Sequence, residues 1–303
     1  MPDNYYSISN FIDFAIKHIW KATIIELVVI LATIIWLLGL PDIYRSEVTI
    51  APTEHAQGGG FSAGGLGGIA SLAGLSLGEE SVSQVTIATS VIQSRIFANS
   101  FIVKHEMAVP LVAAVEWDTE MEKLIIDPAK YDIEGSKWTR SVSPPRKQIP
   151  SDLELYEYYQ NAIEIESKDN GLITISFEHI SPILSAKWAG DIVDEINKVM
   201  REREVEKVSK NIQYLEEQAQ KAQNVEIRAS MYALIQDQYE KLMLAEANKE
   251  YIFYVIDPAI VPEMKDSPKR TFILVFVTLL VSFVVFCAYL IAFLFRPINN
   301  NKE

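Results

Sequence analysis

Residues Thr271 to Phe295, TFILVFVTLLVSFVVFCAYLIAFLF, form a run of 25 residues with neither a charge nor a proline. As a helix rising 1.5 Å per residue it reaches about 37 Å, more than the roughly 30 Å of a bilayer's hydrocarbon core. Lys269 and Arg270 flank one end and Arg296 the other. A segment of that length with basic flanks is expected to cross a membrane, and everything else must fold around that anchor.

A second run lies near the other terminus. Leu27 to Leu40 is apolar apart from Thr33, and Ala22 to Ile25 extend it backwards past Glu26. Trp20 and Trp36 suit the two interfaces. Glu26 lies about one turn from Lys21, so it is expected near an interface. A cleaved leader is the rival reading, but the apolar run is long and its exit, LPDIYRSE, lacks a small-x-small cleavage site. We therefore expect an uncleaved anchor.

Two crossings put both termini on one side. Lys17, His18 and Lys21 precede the first run; Arg45, Lys265, Lys269 and Arg270 lie between the two; Arg296 and Lys302 follow the second. The first crossing usually sets the orientation. The expected order is a cytoplasmic tail over 1–19, a span over 20–40, an extracytoplasmic domain over 41–270, a span over 271–295 and a cytoplasmic tail over 296–303.

The chain carries a net charge of −13, with 23 Lys and Arg against 36 Asp and Glu between residues 41 and 270. The whole excess therefore sits on the middle domain, which would repel a phosphate backbone; nucleic acid is not an expected partner. Cys287, the single cysteine, falls inside the second run and leaves no internal disulfide.

The middle domain reads as α+β. Tyr44 to Ala51 alternates as a strand that Pro52 stops. Gln57 to Gly78 is rich in glycine with interspersed Leu, Ile and Phe; it lacks the G-K-[ST] ending of a phosphate loop. It reads as a loop, or as a segment that orders against a neighbouring subunit. Ser83 to Lys104 reads as one amphipathic helix with Ile87, Val91, Phe97 and Phe101 on a face. Ser151 caps a helix over DLELYEYYQNAI, with Asp152 and Glu154 in its first turn. Ile163–Ile165, the turn Asp169-Asn170-Gly171 and Leu172–Phe177 form a hairpin.

Ser181-Pro182 then opens a long helical arm over about 182–249. Leu184, Trp188, Ile192, Ile196, Val199, Val205, Val208, Ile212, Leu215, Ala219 and Ala222 recur at threes and fours, a coiled-coil-like seam. The register slips after Ala219, where Asn224 is placed to cap a second helix with Val225, Ala229, Tyr232, Ile235, Tyr239 and Leu242 as its stripe. An unbroken helix would end roughly 100 Å from its start, so a hairpin is favoured. Tyr251 to Ile256 closes a small, membrane-proximal mixed sheet.

Enzymatic signal is sparse. His18, His55, His105 and His179 are scattered, no serine stands on a nucleophile elbow, and the acidic residues follow helix faces. We expect no catalytic, metal or cofactor residues. Eight residues after the second run leave no room for a kinase or an output domain. The sharpest local feature is the exit DPAIVPEMKDSPKR. Pro258, Pro262 and Pro268 fix φ and remove amide donors, which predicts a stiff extended connector. It acts either as a spacer or as a coupling to the second span or to another membrane protein.

Pro262 followed by Ser267-Pro268-Lys269 and an apolar helix resembles the chain-length determinant (Wzz) family of polysaccharide co-polymerases. The resemblance spans nearly the whole chain. TSVIQSRIFANSFI is similar to a segment of its lipopolysaccharide members, and VIDPAIVPEMKDSPKR is similar to its capsule and exopolysaccharide members. Pro258 and Pro262 are separated by three residues where the family often has P-x-x-P with two, and the second run lacks the family's glycines. The resemblance implies a non-catalytic homo-oligomer in the bacterial inner membrane, with its bulk in the periplasm and no fused kinase. It would set O-antigen length on a lipid-linked polysaccharide with a Wzy-type polymerase. The alternative is a capsule or exopolysaccharide component working with a separate tyrosine kinase or transporter. The exit residues Pro258, Pro262, Ser267, Pro268 and Lys269 are its functional motif.

Overall fold

A computed structural model describes residues 8–53, 56 and 83–295. They divide into two compact units, one holding the two terminal helices and the other residues 43–265. The glycine-rich stretch 57–78 and the tail 296–303 lie outside the described residues.

In the first unit, α1 runs from Ile8 to Leu38 and α8 from Arg270 to Leu294. Both contain a stretch long and apolar enough to cross a membrane, Trp20–Leu38 and Arg270–Ala292, and those stretches are almost entirely unburied. A soluble protein's core helix would be covered, so that reading is excluded. The two helices pack on each other, and the Ser282 hydroxyl donates to the Glu26 carboxyl.

The second unit is built on one sheet, in the order β6-β7-β1-β8. Its strands are β1 (Tyr44–Pro52), β6 (Ile163–Ser167), β7 (Ile173–His179) and β8 (Phe253–Asp257). All three pairings are antiparallel, which corrects the expectation of a mixed sheet. The reason is local. β6 and β7 join through a tight turn, where Gly171 takes φ +80° and the Asn170 side chain accepts from the Leu172 amide. A turn that short allows only an antiparallel partner. On β1, Val48 and Ile50 face the core while Arg45 lies among Glu47, Glu164 and Glu178 on the other face.

The core packs α6 (Pro182–Lys221) against this sheet. Trp188, Ile192 and Ile196 meet Ile50, Ile175, Phe177 and Phe253, and an aromatic cluster of Phe101, Tyr159, Phe177 and Trp188 fills the centre. Two helices stand where one was expected over 83–104: α2 (Gln84–Ile92), capped by Ser83, and α3 (Arg95–Lys104), capped by Ser94. The break is held open from outside. Side chains of α5 (Asp152–Ala162) reach over and satisfy the carbonyls that end α2. Tyr159 donates to Ile92 O, and Tyr156 and Gln160 donate to Gln93 O. Val91, Phe97 and Phe101 are buried as expected, whereas Ile87 is exposed.

Between α3 and α5 lie elements without a sequence expectation: α4 (Ala108–Ala113) and two short hairpins, β2–β3 (Ala114–Asp118, Lys123–Ile126) and β4–β5 (Tyr131–Asp132, Lys137–Trp138). The loop after them is pinned by a buried ion pair. Arg140 grips both oxygens of Glu154 and donates to the carbonyls of Lys147 and Gln148. That grip holds the Glu154 carboxyl below its usual range, against the opposing effect of burial.

The arm is a hairpin. α6 ends at Lys221, Asn224 accepts from the amides of Glu226 and Ile227, and α7 runs from Val225 to Ala247. The seam expected on α6 is present, with Val208, Ile212 and Ala219 buried. The stripe expected on α7 is shifted. Ile235 is buried and Leu242 half-buried, but Val225, Ala229, Tyr232 and Tyr239 are exposed. The facing row is Met231, Ile235, Gln238, Leu242 and Ala245. Gln238, which meets Asn211, occupies a seam position and hides it from an apolar count, while the neighbouring tyrosines draw the pattern one residue over.

Two buried polar side chains fix this architecture. His179 lies against Trp188; its Nε2 donates to Pro110 O and its Nδ1 accepts from the Ser181 amide, at the start of α6. Both ring nitrogens are used, so a second proton would break the Ser181 contact, and burial pushes the ring down to about 4. Asn197 of α6 accepts from the amides of Ile252 and Phe253 and donates to Phe253 O.

Because the folded ring titrates below the unfolded value near 6.5, His179 favours the native state fully above that pH. Its contribution falls as the pH drops toward 4. Urea unfolding of the full chain in mild detergent should show wild type losing about 2 kcal/mol between pH 7 and pH 5 that His179→Gln does not lose. An equal loss in both would remove His179 from this role. Asn197→Ala strands two amides and a carbonyl and should cost about 3 kcal/mol in the same assay; a change within 0.5 kcal/mol, about the effect of an ordinary surface substitution, would show the clamp to be dispensable.

The proline-rich exit as candidate functional site

The stretch that carries the expected functional residues divides between the two compact units. Pro258 and Pro262 belong to the α+β unit; Ser267, Pro268 and Lys269 belong to the helix pair.

In the α+β unit, the chain leaves β8 at Asp257 and continues without regular structure, as two prolines so close together require. It is nevertheless held. Ala259 packs against the core, and the buried Ser46 hydroxyl of β1 donates to Ile260 O at 2.7 Å. β8 pairs with β1 only over Thr49 to Pro52, so Ser46 lies on the part of β1 that β8 does not reach. Pro258 is exposed and Pro262 half-buried. Around them the side chains point outward: Tyr254, Val255, Ile256, Ile260, Val261 and Met264 are exposed, Met264 to 83%. An edge strand and a pinned connector thus offer one run of apolar side chains.

In the helix pair, Ser267 and Pro268 are half-buried, Lys269 is exposed, and the Ser267–Pro268 peptide is cis. Lys269 O accepts from the Ile273 amide and so begins α8. Arg270 folds back toward the other helix. Its guanidinium donates to Leu40 O at 3.0 Å and to the Asp42 carboxylate at 2.8 Å. The end of α1 and the start of α8 are therefore tied by charge as well as by packing.

The five expected residues are divided between the two units, and four further residues hold the chain near them: Ser46 and Ala259 in one, Asp42 and Arg270 in the other. Asp42 and Arg270 had a legible signal. Each flanks an apolar run, and two antiparallel helices must set those flanks side by side. Ser46 and Ala259 had none, being small residues whose role depends on where the sheet ends.

Chemically the exit is an exposed, largely apolar stretch. It carries Asp257, Glu263, Lys265 and Asp266 around apolar side chains, with no nucleophile beside a base. Among the described residues no group of three His, Cys, Asp or Glu is placed to hold a metal ion. His105 and His179, the histidines whose side chains are described, both serve packing. His105 stacks on Phe101 and lies 3.0 Å from Asp191, and beside it Lys104 pairs with Glu195, fastening α3 to α6. A groove of about 450 Å³ between the arm's helices is lined by Arg201, Glu202, Glu206, Glu246 and Lys249. Its alternating charges lie on solvated faces and do not converge on a point.

No family model matches the chain, and no curated protein matches it. Among solved structures, a fragment of WzzB, a polysaccharide co-polymerase from Salmonella Typhimurium, is similar over 75% of this chain and 100% of its own, at 12% identity and a TM-score of 0.30. A full-length bacterial polysaccharide co-polymerase is similar over 94% of this chain and 98% of its own, at 14% identity and a TM-score of 0.32. At such identity and score neither likeness carries a functional assignment, which has to rest on residues of this chain.

Ser46→Ala removes the donor that holds Ile260 O. It should cost about 1 kcal/mol and speed hydrogen exchange at the amides of Ala259, Ile260 and Val261, read by mass spectrometry on the full chain in detergent. Unchanged exchange there would show that the connector is held by its prolines alone.

Proposed function

We propose that this chain is a non-catalytic, membrane-anchored member of the chain-length determinant family. It works as a homo-oligomer that sets the length of an O-antigen or related polysaccharide. The observation that carries this reading is the joint one: two unburied apolar helices bracket an α+β unit with a long helical hairpin, and the second helix is reached through Pro262 and Ser267-Pro268-Lys269. In this reading both helices cross the bacterial inner membrane, the tails lie in the cytoplasm and residues 41–270 stand in the periplasm. The partners are further copies of the chain, a Wzy-type polymerase and its lipid-linked polysaccharide.

Physical features support an assembling scaffold. Val225, Tyr232 and Tyr239 stand exposed on α7 because a two-helix arm buries one row per helix and leaves the next row open. Among its described residues the acidic unit places no group of three His, Cys, Asp or Glu to hold a metal ion, and we read its effect on a polymer as acting through surfaces. The exit supplies one, with apolar side chains on a pinned connector.

The resemblance of VIDPAIVPEMKDSPKR to capsule and exopolysaccharide members favours a second reading, in which a separate tyrosine kinase or transporter is the partner. One experiment separates the two: deletion of the gene in its native host, with lipopolysaccharide displayed on a gel and capsular polymer sized in parallel. The expected outcome is loss of a clustered lipopolysaccharide ladder. An unchanged ladder with altered capsule selects the second reading, and no change in either polymer overturns both.

A further inference from the structure

Glu26 is the one acidic residue inside the apolar stretch Trp20–Leu38, and its length from the helix ends decides where it sits. The Arg270 contacts with Leu40 and Asp42 set the end of α1 level with the start of α8. From that common level the depths agree. Glu26 lies about 18 Å along α1 from Leu38, and Ser282 lies about 18 Å along α8 from Arg270, at 1.5 Å per residue. Their side chains meet there in a hydrogen bond. In a hydrocarbon layer about 30 Å thick, 18 Å is past the middle. In the membrane-spanning reading this is deeper than the interfacial position expected from Lys21, and Glu26 there faces the central residue of the other helix.

The pair also has a side. Ser282 is exposed and Glu26 half-buried, and their neighbours Ile25, Leu27, Leu279 and Phe283 are each more than half exposed. The bond lies on the lateral surface of the helix pair, ringed by apolar side chains, and engages the Oε1 oxygen of the carboxyl. Polar groups at such depth are costly and are retained where they act.

We propose that Glu26 and Ser282 form a carboxyl–hydroxyl site inside the hydrocarbon layer, open toward lipid, that takes small lipid-soluble carboxyl-directed ligands. The site rests on the membrane-spanning reading above and locates a chemistry which that reading does not include. Dicyclohexylcarbodiimide is the probe. The carboxyl O–H adds across one C=N bond, the oxygen bonding to the central carbon and the proton passing to nitrogen. The O-acylisourea then rearranges to a stable N-acylurea without a leaving group, so the peptide gains the mass of one reagent molecule.

The full chain in lipid vesicles is first extracted with alkaline carbonate, then treated in parallel with this reagent and with a water-soluble carbodiimide plus an amine, and mapped by mass spectrometry. Glu26 should be labelled by the lipid-soluble reagent at least tenfold more than by the water-soluble one. Glu26→Gln should lose that label, and Ser282→Ala should change its rate by at least threefold. Release by carbonate overturns the membrane reading and this site with it. A chain that resists carbonate but is labelled at Glu26 from water, or is not labelled at all, overturns the site alone. An unchanged rate in Ser282→Ala overturns the pairing.

Discussion

The three hydrogen bonds of the Asn197 amide decide where the chain can go after its helical hairpin. A helix of 40 residues carries the polypeptide far from the sheet, and α7 brings it back along the same arm. Nothing in an antiparallel helix pair specifies the residue at which the returning chain should rejoin the sheet. Asn197 does so by offering one acceptor to the successive amides of Ile252 and Phe253 and one donor to the Phe253 carbonyl. It thereby pairs backbone groups of Ile252 and Phe253 that would otherwise be buried without partners. Phe253 then enters the core opposite Pro52, which has no amide to give, and β8 takes its register on β1. The start of the connector, and hence the position of Pro258 and Pro262, follows from that register.

His179 does the corresponding work at the other end of the same helix. Its ring joins the end of β7, the α4 turn at Pro110 and the cap of α6 in one buried contact. The helix is thus referenced to the sheet at two levels, by His179 near its first turn and by Asn197 further along. The apolar seam between them gives most of the adhesion but little of the register, since Ile and Val side chains fit a shifted neighbour nearly as well.

Elements with a strong period or a cap were legible from the residues. The 25-residue apolar run, the β6–β7 hairpin with its Asn-Gly turn, the Ser181-Pro182 start and the Asn224 break each announce themselves within a few positions. What stayed hidden depended on partners distant in sequence. The break between α2 and α3 rests on tyrosines some 65 residues later. The α7 stripe was displaced because a polar residue, Gln238, takes a seam position. Arg140 and Glu154 form a buried pair that the sequence does not announce, since nothing local tells a solvated carboxylate from one gripped by a guanidinium. At the exit, the prolines marked the path, but the groups that hold it, Ser46 and Arg270, are defined only once the sheet and the helix pair exist.

Several buried polar groups of the α+β unit are spent in pairs: Arg140 with Glu154, Asn197 with a strand end, His179 with a carbonyl and an amide. A nucleophile or general base needs the opposite condition, a polar group held in place yet left with an unfilled valence toward a cavity. The exposed rows of the described α+β unit are of another kind. They are apolar, on α7 and along Tyr254 to Met264, and they lie on the outside. Exposed apolar rows on rigid elements are surfaces for other macromolecules. The connector is the more restrained of the two rows, since the Ser46 hydroxyl pins it at Ile260 O.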